Sequence, residues 1–459
     1  LLSSIPSAID VRVSRDALGF SDPRVLLRQL TEQGTLQETD SGDLRFHPLL
    51  RDFLRRKLEM EEPDLFEQGT ARIIEHARKN QHWSEAVELA IHTDRLRVAA
   101  EIVGEAAPSL LRAGRLETLD KWLAECGAEM LETPAAALAK SEALTRQGRL
   151  SAAASLADGT LRRLSAHDPW RSRACFLAGQ AMHLLSDDQR ALAYHMEAKR
   201  SARTPYDSAS ALWGCFLAAS ELELDNAGDY LDELQVLTVD EIDGRLRLAA
   251  GRVLSASRRG SFAGTWDEVM ALVPLADYAT DPMVKSSFLA RAGELNIALA
   301  RYGKAESFLN QAIHICDELQ LDFATALCLE LRAIAEIGLR KFHAVRQTLD
   351  RLTHLSRDQE DPYVELACQK LVIQLALGEG AAKGLSAGLQ APPKTELQRS
   401  GTGEYHALLA IAAACIGDFE RAEEMYDEAF SCRVEEEPAL EPTETLSTAI
   451  EHGPGPGHC

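Results

Sequence analysis

The chain has 459 residues, of which 46% are hydrophobic and 26% are charged, and its formal net charge is −22. This length exceeds what one ordinary hydrophobic core can organise, so it predicts several domains or a repeat architecture. The nine cysteines are scattered, odd in number and never paired as Cys-x-x-Cys, which excludes a disulfide-framework protein and indicates a reducing compartment.

Charge and hydropathy also limit the possible partners. An acidic chain repels a phosphate backbone at long range, so nucleic-acid binding is not expected. The longest uncharged runs, such as 405–417, have 13 residues, which is too short to span a bilayer, so no membrane segment is expected. We therefore expect a cytoplasmic protein. Because the chain lacks an initiator Met, we expect it to be a fragment of a longer one.

The first elements predicted along the chain are two helices. A short helix is expected over 4–18. Asp22-Pro23 then suits the cap and the first position of a second helix, over 24–33. Gly34 is the residue expected to end it.

A hairpin and a third helix follow. The segments 35–38 and 44–46 flank a turn rich in Asp, Ser and Gly at 39–43, which predicts a β-hairpin. The segment 47–58 alternates leucines and cations as an amphipathic helix. The order helix, helix, hairpin, helix predicts a winged-helix domain over residues 1–60.

Four segments carry a resemblance to a known family. They are the run Arg-Phe-His-Pro-Leu-Leu-Arg-Asp-Phe-Leu at 45–54, the acidic break at 59–64, the run Trp-Ser-Glu-Ala-Val-Glu-Leu-Ala-Ile at 83–91, and the leucine-rich stretch at 110–123. Together they resemble the junction region of the large ATP-dependent LuxR-type transcriptional regulators, the family of the maltose-regulon activator. The resemblance is specific over about the first third of the chain and architectural beyond it.

The resemblance implies a function. In that family a P-loop ATPase precedes the winged helix, a tetratricopeptide-like superhelix senses an inducer, and a DNA-reading helix-turn-helix ends the protein. This chain has no Gly-x4-Gly-Lys-Ser/Thr loop, so we expect no cofactor here, and ATP only in the family's ATPase domain. The terminal helix-turn-helix is also missing, so promoter binding by this chain is not expected.

DNA contact by residues 1–60 is a weaker alternative. Their cations lie in an amphipathic pattern with an ordinary solvated face, so a structural or coupling role is favoured. These cations are Arg24, Arg28, Arg51, Arg55, Arg56 and Lys57.

A pattern of small residues recurs through the rest of the chain. Where it is clearest, Gly293 is followed by Ala305 and Ala312. Small residues at this spacing predict paired antiparallel helices whose backbones approach closely. The residues assigned to this packing are Gly179, Ala191, Ala198, Gly293, Ala305, Ala312, Ala410, Ala422 and Ala429.

Because one helix pair cannot bury its own apolar face, successive pairs are expected to stack. The small residue of the second helix falls at 153, 191, about 227, 263, 305, 345, about 382 and 422, in steps of about 36 to 42 residues. The pattern resembles the tetratricopeptide repeat. We predict an all-α fold, a right-handed α-solenoid of tetratricopeptide-like helix hairpins preceded by the winged-helix domain.

The superhelix is assigned to 61–432. Within it, 378–401 is rich in Gly, Ala and Pro and predicts a degenerate repeat with a long loop. The acidic and Pro-Gly-rich tail, 433–459, has almost no apolar periodicity and is expected to be disordered.

No enzymatic motif is found, and we expect that the protein is not an enzyme. His314 and Cys316 lack further ligands, so they predict a buried neutral pair and no metal site. The remaining candidate is the concave groove, which the first helix of each pair is expected to line. Its candidate residues are Glu142, Arg146, Arg173, Gln180, His183, Glu294, Glu330 and Glu404.

The groove predicts a small-molecule inducer or a protein as partner, with occupancy relayed to an adjacent ATPase domain. An alternative from another class is a free-standing tetratricopeptide-repeat adaptor that gathers proteins. The coding sequence just before Leu1 separates the two: a P-loop domain favours the regulator, and a natural start codon favours the adaptor.

Overall fold

The computed structural model describes residues 2–5, 9, 11–39, 44–238, 240–262, 264–358, 362–387 and 399–432. The chain divides into two compact units. Unit 1 comprises Leu1–Leu111 and Arg115–Lys140, and unit 2 comprises Arg112–Gly114 and the chain from Ser141 onward.

Unit 1 combines a small hairpin with helices. The hairpin strands are β1 (Leu36–Glu38) and β2 (Leu44–Phe46). The helices are α1 (Pro23–Glu32), α2 (Pro48–Glu61), α3 (Pro63–Lys79), α4 (Trp83–His92), α5 (Leu96–Arg112), α6 (Leu116–Glu125), α7 (Glu129–Glu132) and α8 (Pro134–Arg146), of which α8 continues into unit 2.

Unit 2 is built from helices alone in its described residues. They are α9 (Leu150–Leu161), α10 (Arg171–Leu184), α11 (Asp188–Ser201), α12 (Pro205–Glu221), α13 (Ala227–Thr238), α14 (Ile242–Arg259), α15 (Thr265–Leu272), α16 (Pro282–Ala298), α17 (Tyr302–Glu318), α18 (Asp322–Gly338), α19 (Phe342–Asp358), α20 (Pro362–Gly378), α21 (Arg399–Ile416) and α22 (Phe419–Ser431), with 3-10 helices at Val273–Tyr278 and Ala382–Ala387.

The winged-helix prediction is confirmed in its hairpin and second helix. A carboxylate oxygen of Asp22 accepts a hydrogen bond from the Val25 amide at 3.3 Å, which caps α1. Gly34 ends the turn after α1 with φ +72°. In the antiparallel hairpin Leu36 lies opposite Phe46. Residues 40–43 of the predicted turn lie outside the described residues.

The prediction of a single helix over 4–18 is wrong. The described residues there form a 3-10 turn at Leu2–Ser4 and a π-helical turn at Val13–Ala17. Between them the Ile9 amide donates to the Leu44 carbonyl at 2.9 Å and forms a bridge to β2. The pairing partner lies 35 positions along the chain, so a local pattern could not indicate it. The third helix is longer than predicted, since α2 continues to Glu61, and the break before α3 falls at Glu62, within the predicted 59–64.

The repeat in unit 2 is visible in its turns. A residue with left-handed backbone recurs at 148, 186, 223, 260, 300, 340, 380 and 417, in steps of 37 to 40 residues. At Ser186, for example, the amide donates to the His183 carbonyl and the next amide donates to the Met182 carbonyl, both at 2.9 Å. This bonding pattern satisfies the last carbonyls of a helix and reverses the chain. The hairpin solenoid predicted from the small residues is therefore confirmed.

Close packing within the hairpins differs in detail from the prediction. Ala191 and Ala305 are fully buried, as expected. The glycines, however, face a larger side chain one turn further on, because a Cβ at Gly179 would lie 2.7 Å from the His195 ring and one at Gly293 would lie 2.6 Å from Leu309. Glycine thus makes room for a side chain of the second helix.

The first helices of the hairpins form the inner side of the stack. In the described residues α10 packs on α12, α14 on α16, α16 on α18, and α18 on α20. Contacts between successive second helices are much sparser. Because the first helices lie closer together, the stack of unit 2 curves around them. One apolar core runs from Leu246 in α14 to Leu375 in α20.

Some predicted repeat positions are less regular than the rest. The helix expected near 227 is present, since α13 begins at Ala227, and position 263 lies outside the described residues. The second helix expected near 382 is a 3-10 helix, Ala382–Ala387. Ala422 and Ala429 are only half-buried. The disorder predicted for 433–459 also concerns residues outside those described.

Candidate functional site

Three of the predicted groove residues come together at the start of unit 2. Arg173 of α10 and Arg146 of α8 both pair with Glu142, and the Arg146–Glu142 nitrogen–oxygen distance is 3.5 Å. Arg146 also reaches across to α16, where a guanidinium nitrogen lies 3.4 Å from the Met283 sulfur. We call Glu142, Arg146 and Arg173 the arginine cluster. It lies on the inner wall, which we define as the surface formed by the first helices.

Burial and charge act in opposite directions at the arginine cluster. Burial works to raise the pKa of Glu142, but Arg173 and Arg146 outweigh it and hold that pKa below its usual value. Burial likewise works to lower the pKa of Arg173, and Glu142 outweighs it. Glu142 therefore stays ionised at neutral pH and stabilises both guanidiniums.

A second charged group ties three first helices together. Lys370 of α20 lies 2.9 Å from Glu330 of α18 and 2.7 Å from Glu404 of α21, measured from its Nζ to carboxylate oxygens. The Tyr363 hydroxyl donates a further hydrogen bond to Glu330. Glu330 and Lys370 are only 3% and 5% exposed. We call Glu330, Tyr363, Lys370 and Glu404 the lysine cluster.

Polar contacts also join the first helices between these clusters. The Ser257 hydroxyl of α14 donates to Glu294 of α16 at 2.6 Å, and Arg291 pairs with the same carboxylate. Arg258 of α14 pairs with Glu221 at the end of α12. Partly shielded charges at successive repeats thus link the helices that line the inner wall.

The two other groove candidates lie along α10. Gln180 is half-buried and seven residues from Arg173, so it projects from the same helix face. His183 is turned towards the second helix, where its Nδ1 lies 2.6 Å from an Asp188 carboxylate oxygen.

Sequence reasoning missed Lys370, Tyr363, Arg291 and Ser257. One signal was available for Lys370, which is the single charged residue in the apolar run 367–378. A lone cation inside a buried run requires a buried anion nearby. The prediction of a buried His314–Cys316 pair was wrong, because the His314 side chain is 75% exposed and lies beside Glu318, whereas Cys316 is buried.

His195 is a buried polar residue behind the inner wall. Its ring packs against Phe176, with centroids 5.6 Å apart, and the Phe176 ring also contacts the Arg173 guanidinium. Its Nδ1 has no hydrogen-bond partner among the described residues. Burial, with a smaller effect from His183, lowers the pKa of His195 to about 3. The ring is therefore neutral in the folded protein at physiological pH.

Acid is expected to destabilise the protein partly through His195. The His195 ring binds a proton near pH 6.5 in the unfolded chain and near pH 3 in the folded one. Its contribution to the free energy of unfolding is therefore full above pH 6.5 and is lost as the pH falls from 6.5 towards 3. The slope is about 1.4 kcal/mol per pH unit. Urea unfolding at pH 7.0 and 5.5 should show wild type losing about 1 kcal/mol more than His195→Leu. Equal losses in both proteins would contradict the assignment.

Comparison with known proteins supports the fold. Residues 1–66 match the MalT winged helix domain family. No curated protein sequence matches the chain. None of the described helices is both long and apolar enough to cross a membrane.

Two solved structures are similar to the chain. A Signal Transduction ATPase with Numerous Domains (STAND) protein with a tetratricopeptide repeat sensor, from Pyrococcus horikoshii, has 12% identity and a TM-score of 0.54, over 94% of this chain and 61% of that one. This chain therefore spans less than two thirds of that protein. A Rap protein complexed with competence and sporulation factor has 11% identity and a TM-score of 0.53, over 72% of this chain and 97% of that one. At such identities the likeness concerns the fold alone.

Proposed function

We propose that this chain is the winged-helix and sensor portion of an ATP-dependent LuxR-type transcriptional regulator. It binds an inducer or a partner protein on the inner wall and relays occupancy to an ATPase module. The observation that carries the proposal is the order of parts: a MalT-type winged helix at 1–66 is followed along the chain by a stack of helical hairpins. The role is regulatory, and the chain itself is not an enzyme and binds no cofactor.

The inner wall supports the sensing role. Charged side chains from α8, α10, α16, α18, α20 and α21 lie on it, partly or fully buried. Each repeat of a solenoid packs mainly on its neighbours, although here Arg146 of α8 also reaches α16. A ligand that bridges several repeats therefore changes the curvature cumulatively. The two similar structures are a sensor protein and a protein in complex with a factor, which favours a protein or peptide as the ligand.

The winged helix supports the relay. None of the side chains of α2 is fully buried, and Leu49, Phe53 and Met60 are 76%, 61% and 83% exposed. These residues are four and seven positions apart, so they form one stripe along the helix. Lys57, four residues after Phe53, lies beside it. An exposed apolar stripe marks an interaction surface, and we propose that it docks on the ATPase module.

Reading the coding sequence upstream of Leu1 tests this proposal directly. We expect an ATPase domain with a Gly-x4-Gly-Lys-Ser/Thr loop, joined to Leu1 without a stop codon. A start codon immediately before Leu1, with no such domain, would contradict the regulator and support the free-standing adaptor.

A further inference from the structure

One aromatic contact recurs between successive hairpins of unit 2. In three hairpins the second helix begins with an aromatic residue, namely Tyr302 of α17, Phe342 of α19 and Phe419 of α22. The first two rings lie against the glycine that ends the next first helix. A Cβ at Gly338, the last residue of α18, would lie 2.5 Å from the Tyr302 ring. A Cβ at Gly378, the last residue of α20, would lie 3.1 Å from the Phe342 ring.

A charged contact accompanies the aromatic one, four residues further along each of these second helices. Glu306 of α17 pairs with Lys341 in the turn after α18, and its carboxylate oxygen lies 2.7 Å from the lysine Nζ. Arg346 of α19 pairs in the same way with Glu379, which follows α20. Each interface therefore joins a ring to a small residue and a charge to its opposite.

The last described helix, α22, presents the same face uncovered. Phe419 is 68% exposed, whereas the other two rings are half-buried. Four positions after it lies Glu423, which is exposed and pairs with no cation among the described residues. Phe430 is 55% exposed, but Ile313, at the corresponding position of α17, is 5% exposed. Because eleven residues make almost three complete helical turns, Phe419 and Phe430 share one face of α22.

The charge around this face favours a cationic occupant. The sequence of α22 contains five acidic residues and one arginine. Residues 433–459 contain six glutamates and one arginine, and the whole chain has a net charge of −22. The charge of that segment and of a second copy of the chain is therefore of the wrong sign, whereas a basic helix is complementary.

We propose that the open end of the stack, which we define as Phe419, Glu423 and Phe430, binds a basic helix of a separate partner protein. The helix takes the place of a further first helix. It ends in a glycine or alanine that receives the Phe419 ring, and a lysine or arginine about three residues later pairs with Glu423. An apolar patch at the end of a solenoid otherwise lacks the polar surface that a terminal repeat needs. Because these residues lie on a second helix, this inference goes beyond the proposed function of the inner wall.

A synthetic peptide tests the open end. It has the sequence of residues 322–341, which already makes both contacts with α17 through Gly338 and Lys341. The replacements Glu330→Gln, Glu336→Gln and Cys328→Ser make it basic and remove its thiol. The anisotropy of the fluorescein-labelled peptide is followed as the full chain of 459 residues is added.

The peptide is expected to bind wild type saturably and Phe419→Ser at least tenfold more weakly, which is equivalent to about 1.4 kcal/mol or more. Val236 of α13 supplies the matched control, because it is 80% exposed and apolar but lies on another second helix. Val236→Ser should therefore bind the peptide as wild type does. Both substituted side chains are exposed, so neither change removes a core contact.

Two changes in the peptide test its small residue and its cation. Gly338→Leu fills the space that the Phe419 ring would occupy, so it should raise the dissociation constant at least tenfold. Lys341→Glu places a like charge beside Glu423 and should weaken binding similarly. Glu423→Lys in the chain should then restore the affinity for the Lys341→Glu peptide, because the pair is re-formed with its charges exchanged.

Several results would overturn the inference. They are the absence of saturable binding, equal effects of Phe419→Ser and Val236→Ser, a Gly338→Leu peptide that binds unchanged, and no restoration by Glu423→Lys. Self-association that Phe419→Ser abolishes, measured by sedimentation equilibrium, would assign the face to a second copy of the chain instead. Tighter peptide binding by a Leu446→Ser, Ile450→Ser variant would assign it to residues 433–459. The assay requires neither an inner-wall ligand nor the ATPase, so it can fail while the proposed function stands.

Discussion

Lys370→Met is expected to lower the free energy of unfolding by about 3–5 kcal/mol, because it leaves a buried charge without its partner. Lys370 is 5% exposed and lies between Glu330 and Glu404. Burial works to lower the pKa of Lys370, but the two carboxylates outweigh it and raise that pKa above its usual value. Without the ammonium group, Glu330 keeps only the Tyr363 hydroxyl among the contacts described for it.

A surface lysine supplies the control. Lys341 pairs with Glu306 at 2.7 Å, but its side chain is 48% exposed. Lys341→Met should therefore change stability by less than about 1 kcal/mol. Chemical unfolding of both variants measures the difference. Two results would show that the lysine cluster is not a buried ion pair in solution. One is a similar loss of unfolding free energy in Lys370→Met and Lys341→Met. The other is a double variant, Lys370→Met with Glu330→Gln, that loses as much unfolding free energy as Lys370→Met alone.

Gly214→Ala is expected to destabilise the protein by about 1–3 kcal/mol through overpacking. A Cβ at this position would lie 2.4 Å from Nδ1 and 2.6 Å from Cγ of His195. Cγ is held close to the backbone of α11, so the ring cannot move away without moving the helix. The sign of the change in unfolding free energy is informative, because replacing Gly with Ala inside a helix otherwise stabilises the helix by about 0.5–1 kcal/mol.

Two further variants isolate the cause. Gly159 lies in α9 with no atom within 4 Å of the Cβ position, so Gly159→Ala should stabilise the protein slightly. In a His195→Ala background the ring is gone, so Gly214→Ala should cost much less than in wild type. Equal costs in the two backgrounds, measured by urea unfolding, would rule out the proposed contact.

The repeat could be predicted from sequence because its determinants are local. Ala191 and Ala305 occupy positions where two helices touch, and the same turn recurs every 37 to 40 residues. The second helix of the winged-helix domain could be predicted for the same reason, since Asp22 caps the start of α1 and Gly34 follows its end. The bridge from Ile9 to Leu44 depends on distant residues, and a pattern over 4–18 could not show it.

The candidate site was only half predictable. Three of the predicted groove candidates, Glu142, Arg146 and Arg173, pair with one another in the structure. Spacing cannot show which charges meet across repeats, so the role of Lys370 was missed. His195 was also missed. In the repeat that contains Gly293, the position that corresponds to His195 is Leu309, an ordinary apolar residue. A histidine there looks like a surface residue until its burial is known.

Photo-cross-linking can show directly whether the inner wall of unit 2 is the binding surface. Azidophenylalanine would replace Gln180 on α10 in one variant and Val236, which is 80% exposed on the second helix α13, in another. Both would be produced and irradiated in cells, and adducts would be measured by mass spectrometry. If the inner wall binds the ligand, position 180 yields a reproducible adduct of one molecular species and position 236 yields none of that species. An inner-wall probe that yields no more adduct than the outer one would contradict it.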